Sequence, residues 1–229
     1  MSSSAAAHPD APRGKALRLY LLRHGEPMRR DLFYGHYDIA LSERGQAQAE
    51  AQGRALADSP VEAVYTSDLS RARFGAEAVA RPHGLSPVVD PALREMHLGR
   101  LENVPYADGL RNEPALAGRS YRDMLDFRMP EGGESVRDVG ARVMPVVDAV
   151  ARRHASEHRP RVVLVAHNTV TRVVLSHAAT GSPDAYGAFS QSYGAINRVD
   201  LPVVDEMVQW ERASIVYVNR DPRWQRAEV

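Results

Sequence analysis

Cysteine is absent from the 229-residue chain, and its absence excludes several classes of protein. A chain without cysteine has no disulfide bonds, no thiolate nucleophile and no zinc site with sulfur ligands. The same absence fits a cytoplasmic protein, and we expect that location. No apolar run approaches the ~20 residues that a membrane-spanning helix needs, so we expect no membrane partner.

An excess of charge of either sign is also missing. Lys and Arg together number 29, as do Asp and Glu, so the formal net charge is zero and nothing in the totals indicates nucleic acid as a partner. The apolar fraction of 44% and the charged fraction of 25% are typical of a globular protein. The first fifteen residues lack the apolar core of a signal peptide, and their Ser, Ala and Pro content predicts a disordered leader over residues 1–15.

Short apolar runs alternate with helical patterns along the rest of the chain. The runs "ALRLYLLR", "VEAVYTS" and "RVVLVAH" predict strands, and helical patterns follow them, the first with Ser42 as a candidate N-cap. This alternation predicts an α/β fold: a three-layer α/β/α sandwich with a mixed, mainly parallel central sheet. No Pro- or Gly-rich linker cuts the chain, so we predict one domain over residues 16–229.

Two further regions have weaker signals. An irregular, polar stretch at about residues 96–130 predicts an insertion near the functional site, with one short helix around Tyr121 to Phe127. The segments "AINRVDLP", "EMVQWER" and "ASIVYVN" near the end of the chain predict short strands.

Polar residues follow three of the predicted strands at the point where each strand ends. The three pairs are Arg23-His24, Thr66-Ser67 and His167-Asn168. Arg71 follows the second pair within a turn. Ligands of open α/β sheets bind at the carboxyl ends of the strands, so we expect these side chains to meet at one edge. Arginine forks and a helix N-terminus both favour a phosphate there.

Five motifs, taken in order, identify the chain as similar to a known family. The segments "LLRHGEP" with "FYGHYDIALSERGQAQA", "VYTSDLSRAR", "LREMHLGRLEN", "EGGES" and "VVLVAHNTVTRVVL" resemble those of the histidine phosphatase superfamily, the phosphoglycerate mutase-like group that also contains many small-molecule phosphatases. The match runs from about Leu17 to Leu175. Arg-His-Gly alone is a weak signal, whereas five motifs in the right order are a strong one.

The resemblance implies a role for each of five residues. His24 would be the nucleophile that takes the phosphoryl group, and Arg23 and Arg71 would hold the phosphate oxygens. His167 would be the second histidine of the cradle, and Glu95 would be the proton donor of the phosphatase branch. Elementary chemistry agrees, because histidine attacks only through an unprotonated nitrogen and an alkoxide leaving group needs a proton. We expect no metal or other cofactor.

Several positions depart from the family pattern or flank its motifs. Asn168 stands where a glycine is usual, and "LEN" replaces the common "WEG" after the Glu95 motif. The asparagine that often follows "HGE" is missing, so Arg29 or Arg30 is a candidate replacement. We expect substrate contacts from the loops around these positions, and our candidates are Arg30, Tyr34, Gly35, Asn168 and His97.

Three functions remain open at this point. The first is a phosphatase that acts on a small phosphorylated metabolite through phosphohistidine. The second is a phosphoglycerate mutase, although the spacing from Glu95 to His167 is shorter than mutases generally have and leaves less cover to exclude water. The third is a non-catalytic module that binds a phosphorylated ligand, which the presence of all five site residues disfavours. Oligomeric state is left open, with a homodimer among the alternatives.

Overall fold

The computed structural model describes residues 14–120 and 122–223. The predicted leader over residues 1–15 therefore lies outside the described residues except for its last two. The strands of the described part are β1 Ala16–Arg23, β2 Leu32–Phe33, β3 Val61–Thr66, β4 Val88–Val89, β5 Val104–Pro105, β6 Arg161–Ala166, β7 Ile196–Val204, β8 Met207–Val208 and β9 Ser214–Arg220. Its α-helices are α1 Glu43–Leu56, α2 Ser70–Ala80, α3 Tyr106–Asn112, α4 Val136–His154 and α5 Asn168–Thr180.

One seven-stranded sheet forms the centre of the molecule. Its order is β4-β3-β6-β1-β7-β8, and β9 also pairs with β7. Strands β4, β3, β6 and β1 are parallel to one another, while β7 is antiparallel to β1, β8 and β9. β2 and β5 form a separate antiparallel pair. The central position of β1, between β6 and β7, follows from its burial on both faces.

Helices cover both faces of this sheet. Alternate residues of β1 point to opposite sides, so Leu19 and Leu21 pack with α4 and α5, whereas Tyr20 and Leu22 pack with α1 and α2. The predicted three-layer sandwich with a mainly parallel sheet is therefore confirmed. No helix among the described residues is long and apolar enough to cross a membrane.

Capping interactions begin two of the long helices. The Ser42 side chain accepts a hydrogen bond from the Gly45 N–H at the start of α1, as its position in the sequence predicts. Ser135 caps α4 in a reciprocal arrangement with Asp138, whose carboxylate accepts from the Ser135 N–H. Both caps fix where the chain turns from loop to helix near the edge of the sheet.

The prediction of a short helix around Tyr121 to Phe127 is wrong. Residues 122–126 form turns, Tyr121 lies outside the described residues, and the short helix of this region is α3 instead. The Leu125 carbonyl accepts a hydrogen bond from the Arg137 N–H at the start of α4, instead of the bond that a local helix would make. In the predicted strand "EMVQWER", only β8 is extended, and Trp210–Arg212 form a 3-10 helix.

Candidate active site

His24 directly follows β1 and is held by the backbone of the neighbouring strand. Its N–H donates to the Ala166 carbonyl at 3.0 Å, and its side chain is buried, with 1% of the residue exposed. The ring Nδ1 lies 2.7 Å from the Gly25 carbonyl oxygen. A carbonyl oxygen can only accept, so Nδ1 carries the proton and Nε2 of the neutral ring is left with its lone pair.

Gly25 allows α1 to pack tightly against the turn after His24. A Cβ atom on Gly25 would lie 2.1 Å from the Gly45 carbonyl oxygen, a distance that no side chain can occupy. The Glu26 carbonyl in turn accepts from the Ser42 N–H at 2.9 Å. The glycine of the Arg-His-Gly motif therefore has a packing role: it brings the first turn of α1 against the backbone that carries His24.

His167 is the residue between β6 and α5, and its side chain is fully buried. Its ring centroid lies 5.1 Å from that of His24. Its Nε2 lies 2.8 Å from Ser67 Oγ, the hydroxyl that follows β3. Nδ1 of His167 is buried and has no hydrogen-bond partner among the described residues. The predicted convergence of strand ends thus places two histidine rings side by side.

Burial strongly affects the protonation of both histidines. Loss of contact with water lowers the pKa of His24 well below its usual value, and the positive charges of Arg71 and Arg23 lower it further. Burial is also the main cause of the lowered pKa of His167, followed by Arg71. Both rings are therefore neutral at pH 7, which is the state that a histidine nucleophile requires.

Arg71 lies in the first turn of α2 with its side chain fully buried. Its guanidinium donates to the Gly35 carbonyl at 2.6 Å and to the Tyr37 carbonyl at 3.0 Å. Its Nε is buried without a partner among the described residues, and the same is true of Arg23 Nε. Burial lowers the pKa of Arg71, and the carboxylate of Glu95 is the largest opposing influence.

Glu95 lies at the N-terminus of α5, the helix that begins directly after His167. Its two carboxylate oxygens each accept from the Thr169 N–H at 3.2 Å. The partial positive charge of the helix N-terminus holds the carboxylate in that position. The Glu95 backbone carbonyl accepts from His36 Nε2 and from Arg142, both at 2.8 Å.

Three positioning residues of this site were not identified from the sequence. Glu102 accepts hydrogen bonds from the N–H groups of His36, Tyr37 and Leu98. Arg142 binds the Glu134 carboxylate and the carbonyls of Ala92, Arg94 and Glu95. Tyr193 lies against the Arg23 guanidinium at 3.9 Å from the ring centroid. Most of these partners are far away in sequence, so local patterns contain little signal for the contacts.

Two of the five predicted substrate contacts, Tyr34 and Gly35, lie beside His24 or Arg71. Tyr34 is buried, its ring centroid is 6.4 Å from that of His24, and its hydroxyl lies 2.8 Å from that of Tyr193. Burial is the first cause of the strongly raised pKa of Tyr34, so its hydroxyl keeps its proton. Gly35 contributes its carbonyl to Arg71, and a Cβ atom there would lie 2.4 Å from the Met96 carbonyl oxygen.

The other three predicted contacts, Arg30, His97 and Asn168, are less buried than Tyr34 and Gly35. Asn168 begins α5, and the His97 ring packs on that of His36 with centroids 4.9 Å apart. Arg30 is 65% exposed, and its guanidinium lies 3.4 Å from the Glu26 carboxylate. Arg29, the other candidate for the missing asparagine, is paired with Asp31 at the surface. The structure therefore does not bring either arginine to His24.

The site is rich in positive charge and in buried donors. Within residues 14–120 and 122–223, no group of three or more His, Asp or Glu side chains is placed to hold a metal ion. A phosphate group would fit the arginine and histidine donors by charge and by hydrogen bonding. An imidazole nitrogen that can attack and a carboxyl group that can transfer a proton are the groups that phosphoryl transfer to nitrogen needs.

The chain is similar to known proteins that are named as phosphatases or as mutases. The chain is 32% identical over 161 residues to a metal-independent phosphoserine phosphatase of Arabidopsis thaliana, an alignment that covers 68% of this chain and 66% of that protein. It is 34% identical over 165 residues to a probable phosphoglycerate mutase of Erwinia tasmaniensis, covering 70% and 74%. The structure of a mycobacterial glucosyl-3-phosphoglycerate phosphatase superposes with a TM-score of 0.77 and 29% identity, covering 89% of this chain and 99% of the other.

A family model provides the most direct assignment. The model of the histidine phosphatase superfamily, branch 1, matches residues 19–208, a range that includes both histidines and Glu95. Some of the relatives are named as phosphatases and others as mutases. Both names describe transfer of a phosphoryl group, and they differ in whether water or the substrate receives it. By this match over most of its length, the chain belongs to branch 1 of the histidine phosphatase superfamily.

Proposed function

We propose that this protein is a phosphatase that hydrolyses a small phosphorylated metabolite through a phosphohistidine on His24. One observation carries the proposal: three buried nitrogen atoms around His24 have no hydrogen-bond partner among the described residues, and they are Arg23 Nε, Arg71 Nε and His167 Nδ1. Buried donors are almost always paired in native proteins. A phosphoryl group bound next to His24 would supply the missing acceptors.

In the first half-reaction, the Nε2 lone pair of His24 attacks phosphorus and the bond from phosphorus to the ester oxygen breaks. The proton stays on Nδ1, which donates it in a hydrogen bond to the Gly25 carbonyl, so the ring keeps the correct tautomer throughout. Arg23, Arg71 and His167 stabilise the charge that spreads over the equatorial oxygens. Glu95 in its protonated form donates its proton to the departing alkoxide.

In the second half-reaction, water replaces the alcohol. The Glu95 carboxylate takes a proton from the water as the oxygen attacks the phosphohistidine, and the bond between phosphorus and Nε2 breaks. Inorganic phosphate leaves, His24 is neutral again and Glu95 is protonated for the next cycle. The Thr169 N–H, which contacts both carboxylate oxygens, holds Glu95 in place for both proton transfers.

Two considerations support hydrolysis over transfer between two positions of one substrate. A mutase must keep water away from its phosphohistidine, and the short spacing from Glu95 to His167 leaves little chain for such a cover. The relatives named as phosphatases add support. The mutase remains the second candidate because a relative at 34% identity bears that name. The absence of cysteine supports a cytoplasmic location as part of the same proposal.

The test is to compare the wild-type protein with His24→Ala on a generic aryl phosphate and on 3-phosphoglycerate. We expect His24→Ala to lower kcat by about 10³-fold or more, because the nucleophile cannot be replaced. His158→Ala is the matched control, since His158 is a surface histidine with 70% of its side chain exposed. Rapid quenching at alkaline pH should trap phosphate on wild-type protein and not on His24→Ala.

The outcomes separate the three candidate functions. Equal and negligible phosphate release by both proteins over a broad panel of phosphate esters would leave only the binding module. Isomerisation of 3-phosphoglycerate that is faster than its hydrolysis would identify the mutase. Phosphate release that depends on His24, without isomerisation, is the result that the phosphatase proposal expects.

A further inference from the structure

A cavity with a volume of about 330 Å³ lies between α1 and the end of β9. Its charged lining residues are unusual for a chain with no net charge. They comprise four arginines and one aspartate, namely Arg44, Arg54, Arg220, Arg223 and Asp221. The cavity is therefore a local concentration of positive charge, and its volume is in the range of small-molecule pockets.

Ion pairs inside the protein cancel only part of this charge. Asp221 is bound by Arg223, whose Nη2 and Nε lie 2.6 Å and 3.0 Å from its carboxylate oxygens. Arg44 is 3.9 Å from the Glu26 carboxylate, which Arg30 approaches more closely at 3.4 Å. The guanidinium of Arg54 has no hydrogen-bond or ion-pair partner within residues 14–120 and 122–223. Arg44 and Arg54 are thus the cations most available to a ligand.

The rest of the lining is apolar or neutral. Ala51 and Ala195 are buried, Pro222 is partly buried, and the ring of Tyr193 belongs to the same wall. Uncharged hydrogen-bonding groups are supplied by Gln48 and Asn219. A flat apolar body would find van der Waals contact on such a floor, while an attached anion would meet the arginines, whose forks suit carboxylate and phosphate oxygens.

This cavity is separate from the candidate active site. None of the five residues with proposed catalytic roles belongs to its lining. Tyr193 adjoins both, because its ring centroid lies 5.8 Å from that of His24 and the residue also lines the cavity. A molecule in the cavity would therefore lie beside the site without touching the reacting atoms.

We propose that this cavity is a second binding site, and that it takes a small organic anion in which a phosphate or carboxylate group is joined to a flat ring. The anion binds Arg44 and Arg54, and the ring lies on the apolar floor. The proposal does not depend on the chemistry assigned to His24, since it concerns binding alone.

Calorimetric titration with three probes tests the proposal: AMP, adenosine and inorganic phosphate. The titrations use the full chain with His24→Ala, so that the nucleotide is not consumed. We expect AMP to bind more tightly than adenosine or phosphate, since only AMP combines the ring with the anion. AMP and phosphate also suit the donors around His24, so the cavity is identified by the part of AMP binding that depends on Arg44 and Arg54. Arg44→Gln together with Arg54→Gln should weaken AMP binding by about tenfold or more, because two charged contacts are lost.

The matched control is Arg152→Gln together with Arg153→Gln, which removes two exposed arginines from the last turn of α4 and makes the same change in net charge. This control should bind AMP as the parent does. Circular dichroism should show folded protein in every case, since glutamine is a good helix former at exposed positions. The proposal would be overturned if the two double variants bound AMP with the same affinity, whether or not that affinity is lower than the parent's. It would also be overturned if the parent bound no AMP at millimolar concentration.

Discussion

The two sides of the candidate site hold their residues in different ways. On the sheet side, His24, Arg71 and His167 adjoin strand ends, and each has no more than 1% of its surface exposed. On the loop side, residues 29–37 and 95–102 contain no long helix or strand. That side is held by carboxylate contacts, with Glu102 on the N–H groups of His36 and Leu98, and Glu134 on that of His97.

This difference separates two requirements of an enzyme. Groups that react must be positioned within a fraction of an ångström, and buried strand ends provide that precision through packing and backbone hydrogen bonds. Groups that select a substrate can differ between relatives while the chemistry stays the same, and loops provide that freedom. We therefore expect changes on the sheet side to lower the rate, and changes on the loop side to alter KM and stability.

Apart from loss of the nucleophile itself, the largest effect is expected on the sheet side, from Arg71→Lys. Lysine keeps the charge but lacks the fork that donates to the Gly35 and Tyr37 carbonyls, and it lacks the buried Nε that has no partner among the described residues. We expect kcat/KM for an aryl phosphate to fall by about 10²–10³-fold. Arg73→Lys, on an exposed arginine of the same helix that pairs with Glu77, should change it less than about twofold. Equal effects of the two changes would contradict the proposed role of Arg71.

A smaller effect is expected on the loop side, from Glu102→Ala. The three N–H groups that Glu102 accepts from would lose their acceptor, so the free energy of unfolding should fall by about 1–3 kcal/mol. KM should rise while kcat changes little, because the reacting groups are held elsewhere. Glu131→Ala, which removes a 70% exposed carboxylate in the same region, should leave both unchanged. A loss of kcat without a change in KM would place Glu102 in the chemistry instead.

The buried histidines predict a dependence of stability on pH. Their pKa values in the folded protein lie well below 6.5, so as the pH falls through 6.5 the unfolded chain binds protons first and the free energy of unfolding decreases. The limiting slope is about 1.4 kcal/mol per pH unit for each histidine. Denaturant unfolding at several pH values should show a smaller slope for His167→Gln than for wild type. The control His158→Gln should keep the wild-type slope, and an unchanged slope in His167→Gln would refute the assignment.

The smallest effect is expected from Arg30→Ala. Arg30 is largely exposed and its partner is Glu26, so its removal should change the free energy of unfolding by less than about 0.5 kcal/mol. If Arg30 contacts substrate as the sequence predicts, KM should rise a few-fold with kcat constant. Steady-state kinetics beside Arg29→Ala, an arginine paired with Asp31, would show whether any effect is specific to this position.

Much of the fold could be predicted because its signals are local. Alternation of apolar runs with helical patterns identified β1, β3 and β6 and the helices after them, and the Ser42 cap was visible as a single residue at the right place. The turns at residues 122–126 could not be predicted in this way. Their helix-like pattern is overridden by the hydrogen bond from Arg137 to the Leu125 carbonyl, a contact with another segment.

By itself, the sequence determined which residues we propose for the chemistry. Arg23, His24, Arg71, Glu95 and His167 stand in motifs that can be read in order, because strand ends and helix starts follow from neighbouring residues. Only the tertiary structure decided what positions them. Glu102 accepts from the His36 N–H, Arg142 donates to the Glu95 carbonyl, and Tyr193 lies against Arg23. The physical reason is distance along the chain, because these contacts form between segments that meet only once the sheet has brought them together.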